Sequence, residues 1–216
     1  MKPLFRNNLP LFLPYLIFLS AGALLLLLND KTATHLEFNR HHNHFFDLFF
    51  FYGTHLGDGY TATIAFIILL TVKFRYALFL GLSNLVSGII TQALKHTLFA
   101  DVVRPKKFFE GLHELYLVPG VDNHLYNSFP SGHSTSAFAI YFAIGMIVEN
   151  KSLKFVCFAL ALLAGYSRIY LSQHFFQDVY AGSLIGVTTT VIFYIVMSRA
   201  RGEWLNRSLR IMKRSV

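Results

Sequence analysis

Residues 167–198 read SRIYLSQHFFQDVYAGSLIGVTTTVIFYIVMS. From Val179 to Ser198 the stretch has 20 uncharged residues, enough to cross the hydrocarbon core of a bilayer as one helix. Within it, Gly182 and Gly186 have the small-xxx-small spacing that allows a second helix to approach closely. The residues before this run include an arginine, a histidine and an aspartate. Because ionisable groups are costly near membrane depth and usually functional there, the stretch predicts a membrane helix whose outer end carries chemistry.

Five further uncharged runs predict five more membrane helices. They are residues 9–28, 59–72, 76–94, 134–148 and 155–167. Six spans of ~20 residues need ~120 apolar positions, and 54% of the 216 residues are hydrophobic. A soluble domain of this length could not bury that much apolar surface in one core. We therefore expect an all-α, six-transmembrane-helix bundle that forms a single domain over residues 1–216.

The distribution of basic residues predicts which end of each span lies inside the cell. If both termini are cytoplasmic, 12 of the 19 Lys and Arg residues fall inside, against only Glu149 and Glu203. These basic residues are Lys2, Arg6, Lys73, Arg75, Lys151, Lys154, Arg199, Arg201, Arg207, Arg210, Lys213 and Arg214. The net charge of +8 is then a topological signal, and nucleic acid is not needed as a partner. The basic tail 199–216 either lies on the anionic inner surface or is a solvated orientation signal.

Ionisable residues gather at the outer ends of the predicted spans, where all ten histidines also fall. The set comprises Lys95, Arg104, His133, Arg168, His174 and Asp178. Three fixed cations beside two histidines suit a phosphate better than a carboxylate, because guanidinium groups bind phosphate oxygens in pairs. Cations also offset charge as phosphoryl transfer proceeds.

Two spacings within this set have chemical meaning of their own. His174 and Asp178 are i and i+4, so on a helix they share a face. A carboxylate there can accept the proton of one imidazole nitrogen and leave the other free to attack. Ser131, Gly132 and His133 open the fourth span, where free backbone amides and the positive end of the helix dipole favour an anion.

These patterns resemble two motifs of the type 2 phosphatidic acid phosphatases, which share a core with vanadium haloperoxidases. Residues 130–133, Pro-Ser-Gly-His, match the second motif of that family. Ser167 and Arg168, followed by His174 and Asp178, match the third motif. The two motifs occur in the family's order, each at the outer edge of a predicted span. This combination is far more specific than either motif alone.

The first motif of the family departs from its usual spacing in this chain. The family has six residues between a lysine and an Arg-Pro pair, whereas Lys95 and Arg104-Pro105 here are separated by eight residues. The extra residues fall at a helix end or in the following loop, where insertions are tolerated. With this altered spacing, Lys106 or Lys107 could take the phosphate-binding role of Lys95. The resemblance covers about residues 76–198.

The resemblance implies a phosphatase mechanism that needs neither metal nor cofactor. His174 would attack phosphorus and form a phosphohistidine, with Asp178 orienting its ring. His133 would protonate the leaving oxygen and then help to activate the water that releases phosphate. The phosphate oxygens would be held by Lys95, Arg104, Arg168 and the amides around Ser131 and Gly132.

The resemblance also implies a lipid substrate in a bacterial inner (cytoplasmic) membrane, with the site at the periplasmic membrane–water interface. Isoprenyl diphosphate and lipid A phosphates rank first, followed by phosphatidylglycerophosphate and phosphatidic acid. A lipid phosphotransferase with the same phosphohistidine stays open, because nothing in the sequence separates water from another acceptor. A haem protein is disfavoured because the predicted spans contain no histidine. A transporter is disfavoured because Pro10 and Pro14 lie near the end of the first span, away from the midplane.

Two outer segments remain outside these motifs. His41, His42 and His44 invite comparison with a metal site, but their spacing fits neither a helical i, i+4 pair nor a zinc finger. A solvated outer loop is the favoured interpretation, and no metal site is predicted. Residues 106–128 lie between the first and second motifs and are long enough to form a lid.

Overall fold

The computed structural model describes residues 6–212, and within that range the chain is entirely helical, without strands. The helices are α1 (Leu9–Leu28), α2 (Lys31–Phe38), α3 (His44–Gly53), α4 (Gly59–Val72), α5 (Phe74–Thr97), α6 (Pro105–Phe108), α7 (Gly132–Ile147), α8 (Lys151–Tyr170), α9 (Phe176–Arg199) and α10 (Leu209–Met212). Short 3-10 turns occur at Thr54–Gly57 and Glu203–Asn206. The all-α prediction is confirmed, and each of the six predicted runs coincides with a helix. Lys2, Lys213 and Arg214, which were assigned to the inner side, lie outside the described residues.

Helix α7 occupies the centre of the bundle. Its side chains from Ala137 to Ala143 are buried, and α5, α8 and α9 pack around it. Tyr15 of α1 closes one side, with ring centroids 5.8 Å from Phe138 and 5.0 Å from Phe142. Outer helices instead expose large apolar side chains, among them Leu16, Ile17, Leu85, Ile89 and Ile192. An apolar surface of this extent is typical of helices that face lipid.

Helix length alone does not confirm the six membrane spans predicted from the sequence. Among the described helices, four are long and apolar enough to cross a membrane: α1, α5, α8 and α9. A fifth span results if residues 44–57 and α4, which are bent by 53°, are counted together. Helix α7 has only 16 residues, fewer than the ~20 that a helix needs to cross the hydrocarbon core of a bilayer. By helix length the structure therefore supports four or five candidate spans, where six were expected.

Helices α7 and α9 approach each other closely, as the two glycines predict. A Cβ atom on Gly182 would lie 2.7 Å from the carbonyl oxygen of Ser131, and one on Gly186 would lie 2.5 Å from that of Thr135. Neither distance leaves room for a side-chain carbon. The contact aligns the beginnings of α7 and α9, and the backbone amide of Ser131 donates a hydrogen bond to the carbonyl of Asp178 at 3.0 Å.

Helix α5 contacts α7 through small and polar side chains. The hydroxyl groups of Thr91 and Thr135 lie 3.1 Å apart, and the amide of Asn84 donates to the hydroxyl of Ser136 at 2.9 Å. Such interhelical hydrogen bonds between small residues are characteristic of membrane helix packing. As a result, the C-terminal end of α5 lies beside the N-terminal end of α7.

The close contact of α7 and α9 makes a stability prediction with a matched control. We expect Gly186→Ala to lower the stability by about 1–3 kcal/mol, because the added methyl group overpacks the contact with Thr135. Gly88 on α5 has open space around its Cα. Gly88→Ala should leave stability unchanged or raise it by up to about 1 kcal/mol through helix propensity. Thermal unfolding in detergent checks both variants, and equal midpoints for the two would contradict the packing described here.

Candidate active site

A cavity of about 470 Å³ opens where the C-terminal ends of α5 and α8 meet the N-terminal ends of α7 and α9. The predicted site residues that line it are Lys95, Arg104, Gly132, His133, Arg168 and His174. Asp178 and Ser131 are fully buried and are not among the lining residues. Three separate stretches of sequence therefore converge on one cavity.

Asp178 is the buried anchor of this site. Its Oδ2 atom accepts hydrogen bonds from the hydroxyl of Ser128 at 2.6 Å and from the backbone amide of Phe175 at 3.0 Å. The ring of His174 is the third partner, with Nδ1 at 3.2 Å from Oδ2. With Nδ1 donating its proton to this carboxylate, the second ring nitrogen, Nε2, is unprotonated and carries a free electron pair.

The pairing of His174 with Asp178 has a different geometric origin from the predicted one. The spacing suggested two side chains on one face of a helix, but α9 begins only at Phe176. His174 lies in the preceding connection, and Asp178 in the first turn of α9 reaches back towards it. The same carboxylate caps the helix by accepting the amide of Phe175. Helix capping and orientation of the imidazole are thus performed by one oxygen atom.

The environment of His174 favours its neutral form. Burial lowers the pKa of His174 well below its usual value, and the positive charges of Arg104 and Arg168 act in the same direction. In the neutral imidazole Nδ1 keeps its proton and Nε2 has the free electron pair that an attacking nitrogen needs.

Three cationic side chains, from three different parts of the chain, line the cavity. Lys95, in the last turn of α5, donates to the carbonyl of Asn127 at 2.9 Å. Arg104 bonds the carbonyls of Tyr126 at 2.9 Å and Gln173 at 3.3 Å. Each of these side chains still has donor hydrogens that these bonds do not use.

Arg168, in the last turn of α8, donates from Nη1 to the hydroxyl of Thr54 at 2.6 Å. Its Nε atom is buried and has no hydrogen-bond partner within residues 6–212. A buried donor without a partner is costly, so an anion in the cavity would relieve that cost.

Lys95 of the first motif lies at the cavity. Despite the longer spacing, Lys95 lines the cavity, whereas Lys106 and Lys107 do not. Lys107 instead pairs with the exposed Glu110. The additional residues are accommodated after α5, in the connection that leads to Arg104.

Ser131 does not present its amide to the cavity, in contrast to the prediction. It is the N-cap of α7, where its hydroxyl accepts from the hydroxyl of Ser134 at 2.9 Å. Its backbone amide is engaged by the carbonyl of Asp178 at 3.0 Å. The cavity is lined by the next two residues, Gly132 and His133, in the first turn of α7. These residues stand at the positive end of the helix dipole.

The cavity also contains polar residues that sequence reasoning did not assign to the site. Thr54 and His55 of the 3-10 turn Thr54–Gly57, and Asp58 directly after it, line the cavity together with His133. Ser128 donates a hydrogen bond to Asp178 and lies just before the Pro-Ser-Gly-His motif, separated from it only by Phe129. No local pattern marks these residues as partners of the site.

The histidine cluster before α3 is only partly solvated. The side chain of His41 is 80% exposed, but that of His42 is 6% exposed. His42 lies 3.2 Å from Asp47, whose carboxylate also accepts from the hydroxyls of Tyr116 and Tyr170, each at 2.7 Å. Through these hydrogen bonds, Tyr116 links the 106–128 segment to Asp47 of α3 and Tyr170 of α8. Within the described part of the chain, no three His, Cys, Asp or Glu side chains are grouped as a metal ion requires.

A larger cavity, of about 770 Å³, lies at the opposite end of the helices. Basic residues line it: Arg6, Lys73, Arg75, Lys151 and Lys154. None of the predicted catalytic or phosphate-binding residues is found there. The two ends of the bundle are thus chemically distinct, with the paired histidine and carboxylate at one end only.

The chain belongs to the PAP2 superfamily, whose sequence profile matches residues 76–201. This membership confirms the resemblance drawn from the motifs. The chain is similar to the lipid A 4'-phosphatase of Porphyromonas gingivalis, with 29% identity over 151 residues. The match covers 68% of this chain and 64% of that protein. The matched part therefore spans a little less than two thirds of the relative's length.

Two solved structures share the fold. The crystal structure of LpxE from Aquifex aeolicus has a TM-score of 0.67 and 28% identity, and covers 74% of this chain and 92% of the other. The PAP2-type phosphatidylglycerolphosphate phosphatase of Bacillus subtilis has a TM-score of 0.65 and 21% identity, and covers 91% and 98%. At 21% identity the second likeness concerns the fold alone. The fold is therefore that of PAP2 membrane phosphatases.

The three cations predict that the cavity binds inorganic phosphate. Phosphate should raise the thermal midpoint of the native chain in detergent, because a ligand that binds only the folded state stabilises it by mass action. Arg168→Gln should lose most of this phosphate-dependent rise, whereas Lys151→Gln at the opposite end should keep it. Chloride at equal ionic strength is the control for screening. The same rise in Arg168→Gln as in the native chain would show that the anion binds elsewhere.

Proposed function

We propose that this chain is a membrane phosphatase that removes a phosphate or diphosphate group from a lipid head group. The observation that carries the proposal is the contact of His174 with Asp178 at the wall of a cavity that is lined by three cationic side chains. Membership of the PAP2 superfamily and similarity to a lipid A 4'-phosphatase support hydrolysis of a phosphate ester. No part of the proposed reaction requires a metal ion.

In the first step, Nε2 of His174 attacks phosphorus while the bond to the leaving oxygen breaks. Asp178 holds Nδ1 and stabilises the positive charge that develops on the ring. His133 donates a proton to the leaving oxygen, so that the lipid departs as a neutral alcohol or as a lipid phosphate. The product on the enzyme is a phosphohistidine.

In the second step, a water molecule attacks the phosphohistidine. His133, now neutral, accepts a proton from that water as the new oxygen–phosphorus bond forms. The bond between phosphorus and His174 breaks, and inorganic phosphate leaves. The cycle returns both histidines to their starting protonation states.

The cations act on the charge of the transferring group. Lys95, Arg104 and Arg168 surround the cavity, and the first turn of α7 adds the amides of Gly132 and His133. Charge on the equatorial oxygens is best stabilised by donors that are already in place, because no reorganisation is then needed during the reaction. The buried Nε of Arg168 is a donor that awaits such an oxygen.

The membrane topology we propose has six crossings, with the catalytic cavity at the periplasmic interface and both termini in the cytoplasm. Helix α7 crosses at the centre, where its 16 residues are sheltered by its neighbours. The basic cavity at the opposite end supports this orientation, since Lys and Arg are enriched on cytoplasmic surfaces. A lipid would enter sideways, with its tail in the bilayer and its head group below the cations.

Among lipid substrates, we place a lipid A phosphate first and an isoprenyl diphosphate second. The similarity to a lipid A 4'-phosphatase supports this order. Phosphatidylglycerophosphate and phosphatidic acid follow, since the Bacillus subtilis structure shares only the fold.

The decisive experiment is phosphate release from lipid A and from farnesyl diphosphate in detergent micelles that contain EDTA. We expect release by the native chain to survive the chelator, and His174→Ala to reduce it by a factor on the order of a thousand or more, because the nucleophile is lost. His41→Ala is the matched control, since that imidazole is 80% exposed and away from the cavity. Release that EDTA abolishes, or that His174→Ala retains, would contradict the mechanism.

A further inference from the structure

One wall of the catalytic cavity is built by a segment that lies outside the three family motifs. Thr54 and His55 of the turn Thr54–Gly57, together with the adjacent Asp58, line the cavity. The turn is packed tightly against the start of α7, since a Cβ atom on Gly57 would lie 2.6 Å from the carbonyl oxygen of His133. Any side chain at position 57 would therefore push the turn away from the start of α7.

Asp58 uses both of its carboxylate oxygens on histidines. Its Oδ1 atom lies 2.6 Å from Nε2 of His133, and its Oδ2 atom lies 2.6 Å from Nδ1 of His55. The exposed fraction rises along this series, from 18% for the side chain of Asp58 to 37% for His133 and 61% for His55. The carboxylate of Asp58 is thus the least exposed of the three side chains, and each of its oxygens contacts one histidine.

His133 is surrounded mainly by positive charge. Arg168 of α8 and Arg104, which precedes α6, both act on its ring electrostatically. His174 lines the same cavity. The carboxylate of Asp58 is the anionic group that contacts His133, and His55 lies behind that carboxylate. An imidazolium beside two guanidinium groups is unfavourable unless such an anion is in contact with it.

We propose that Asp58 is the positioning residue of His133, holding Nε2 of that ring and stabilising its protonated form for proton donation to the leaving oxygen. This inference rests on the phosphatase function proposed above. His55 completes the arrangement by occupying the second carboxylate oxygen, which keeps Oδ1 directed at His133. Asp58 thus serves His133 as Asp178 serves His174.

The arrangement assigns the proton transfer to one ring nitrogen. With Nε2 held at Asp58, the proton that goes to the leaving oxygen comes from Nδ1 of His133. The bond from phosphorus to the leaving oxygen breaks as the bond to His174 forms, and His133 becomes neutral. When water attacks, its proton returns to Nδ1, so that the charge on His133 is restored beside Asp58.

The test compares leaving groups and pH profiles for the native chain and Asp58→Asn. On a lipid or alkyl phosphate, whose alkoxide leaves poorly, we expect Asp58→Asn to lower kcat about tenfold or more, because proton donation is impaired. On p-nitrophenyl phosphate, whose leaving group needs little protonation, kcat should stay within about twofold of the native value. The alkaline limb of the pH profile for the alkyl phosphate should move to lower pH, since the imidazolium has lost its anion.

Asp47→Asn is the matched control for general effects of removing a carboxylate. Asp47 also contacts a histidine, His42, but its other partners are Tyr116 and Tyr170, and it does not line the cavity. We expect Asp47→Asn to lower the thermal midpoint and to leave the alkaline limb in place. Asp58→Glu is the second variant for the case that Asp58→Asn does not fold. It keeps the charge and should retain more of the native alkaline limb than Asp58→Asn or Asp58→Ala.

Each outcome bears on the inference in a defined way. Equal losses on both substrates, with an unmoved alkaline limb, would show that Asp58 only supports the fold and would overturn the inference alone. A native chain that releases no phosphate from either substrate would overturn the phosphatase proposal and this inference together. A selective loss on the poor leaving group, with the limb displaced, supports both.

Discussion

The site depends on a carboxylate that is removed from water. Asp178 is fully buried, and its Oδ2 atom accepts from Ser128, Phe175 and His174. Burial of a charged carboxylate is strongly unfavourable unless hydrogen bonds and opposite charges replace the lost water. The three donors, together with the nearby charges of Lys95 and Arg104, offset part of that cost, while Oδ1 has no hydrogen-bond partner among the described residues. The carboxylate in turn fixes the tautomer and the orientation of His174, so that structure and chemistry share one interaction.

The backbone of the same residue connects the site to the helix packing. The carbonyl of Asp178 accepts the amide of Ser131, which brings the first turns of α7 and α9 to the same level. Gly182 and Gly186 then allow the two helices to lie in contact over the following turns. Since His133 stands at the start of α7 and His174 just before α9, the close contact brings both histidines to one cavity. Stability of the bundle and alignment of the two histidines therefore have a common origin.

Much of the fold could be predicted, because charged residues mark the ends of the uncharged apolar runs and each of these runs is helical in the structure. The number of spans does not follow from helix length alone, since α7 is shorter than a typical span and its burial among α5, α8 and α9 is a tertiary property. The pairing of His174 with Asp178 was predictable from spacing, but its geometry was not, because α9 begins after His174. Asp58 left no local signal, since its contact with His133 joins distant parts of the chain.

The most direct test of the role of His174 is to trap the enzyme during turnover. The native chain is mixed with a lipid phosphate, quenched rapidly in alkali, digested and examined by mass spectrometry for phosphorylated peptides. Phosphohistidine is a nitrogen–phosphorus compound, and the arrangement around Asp178 predicts phosphate on Nε2 of His174, in an adduct that acid removes. Phosphate release without any adduct on His174, or with the adduct on another residue, would contradict the role assigned to this pair.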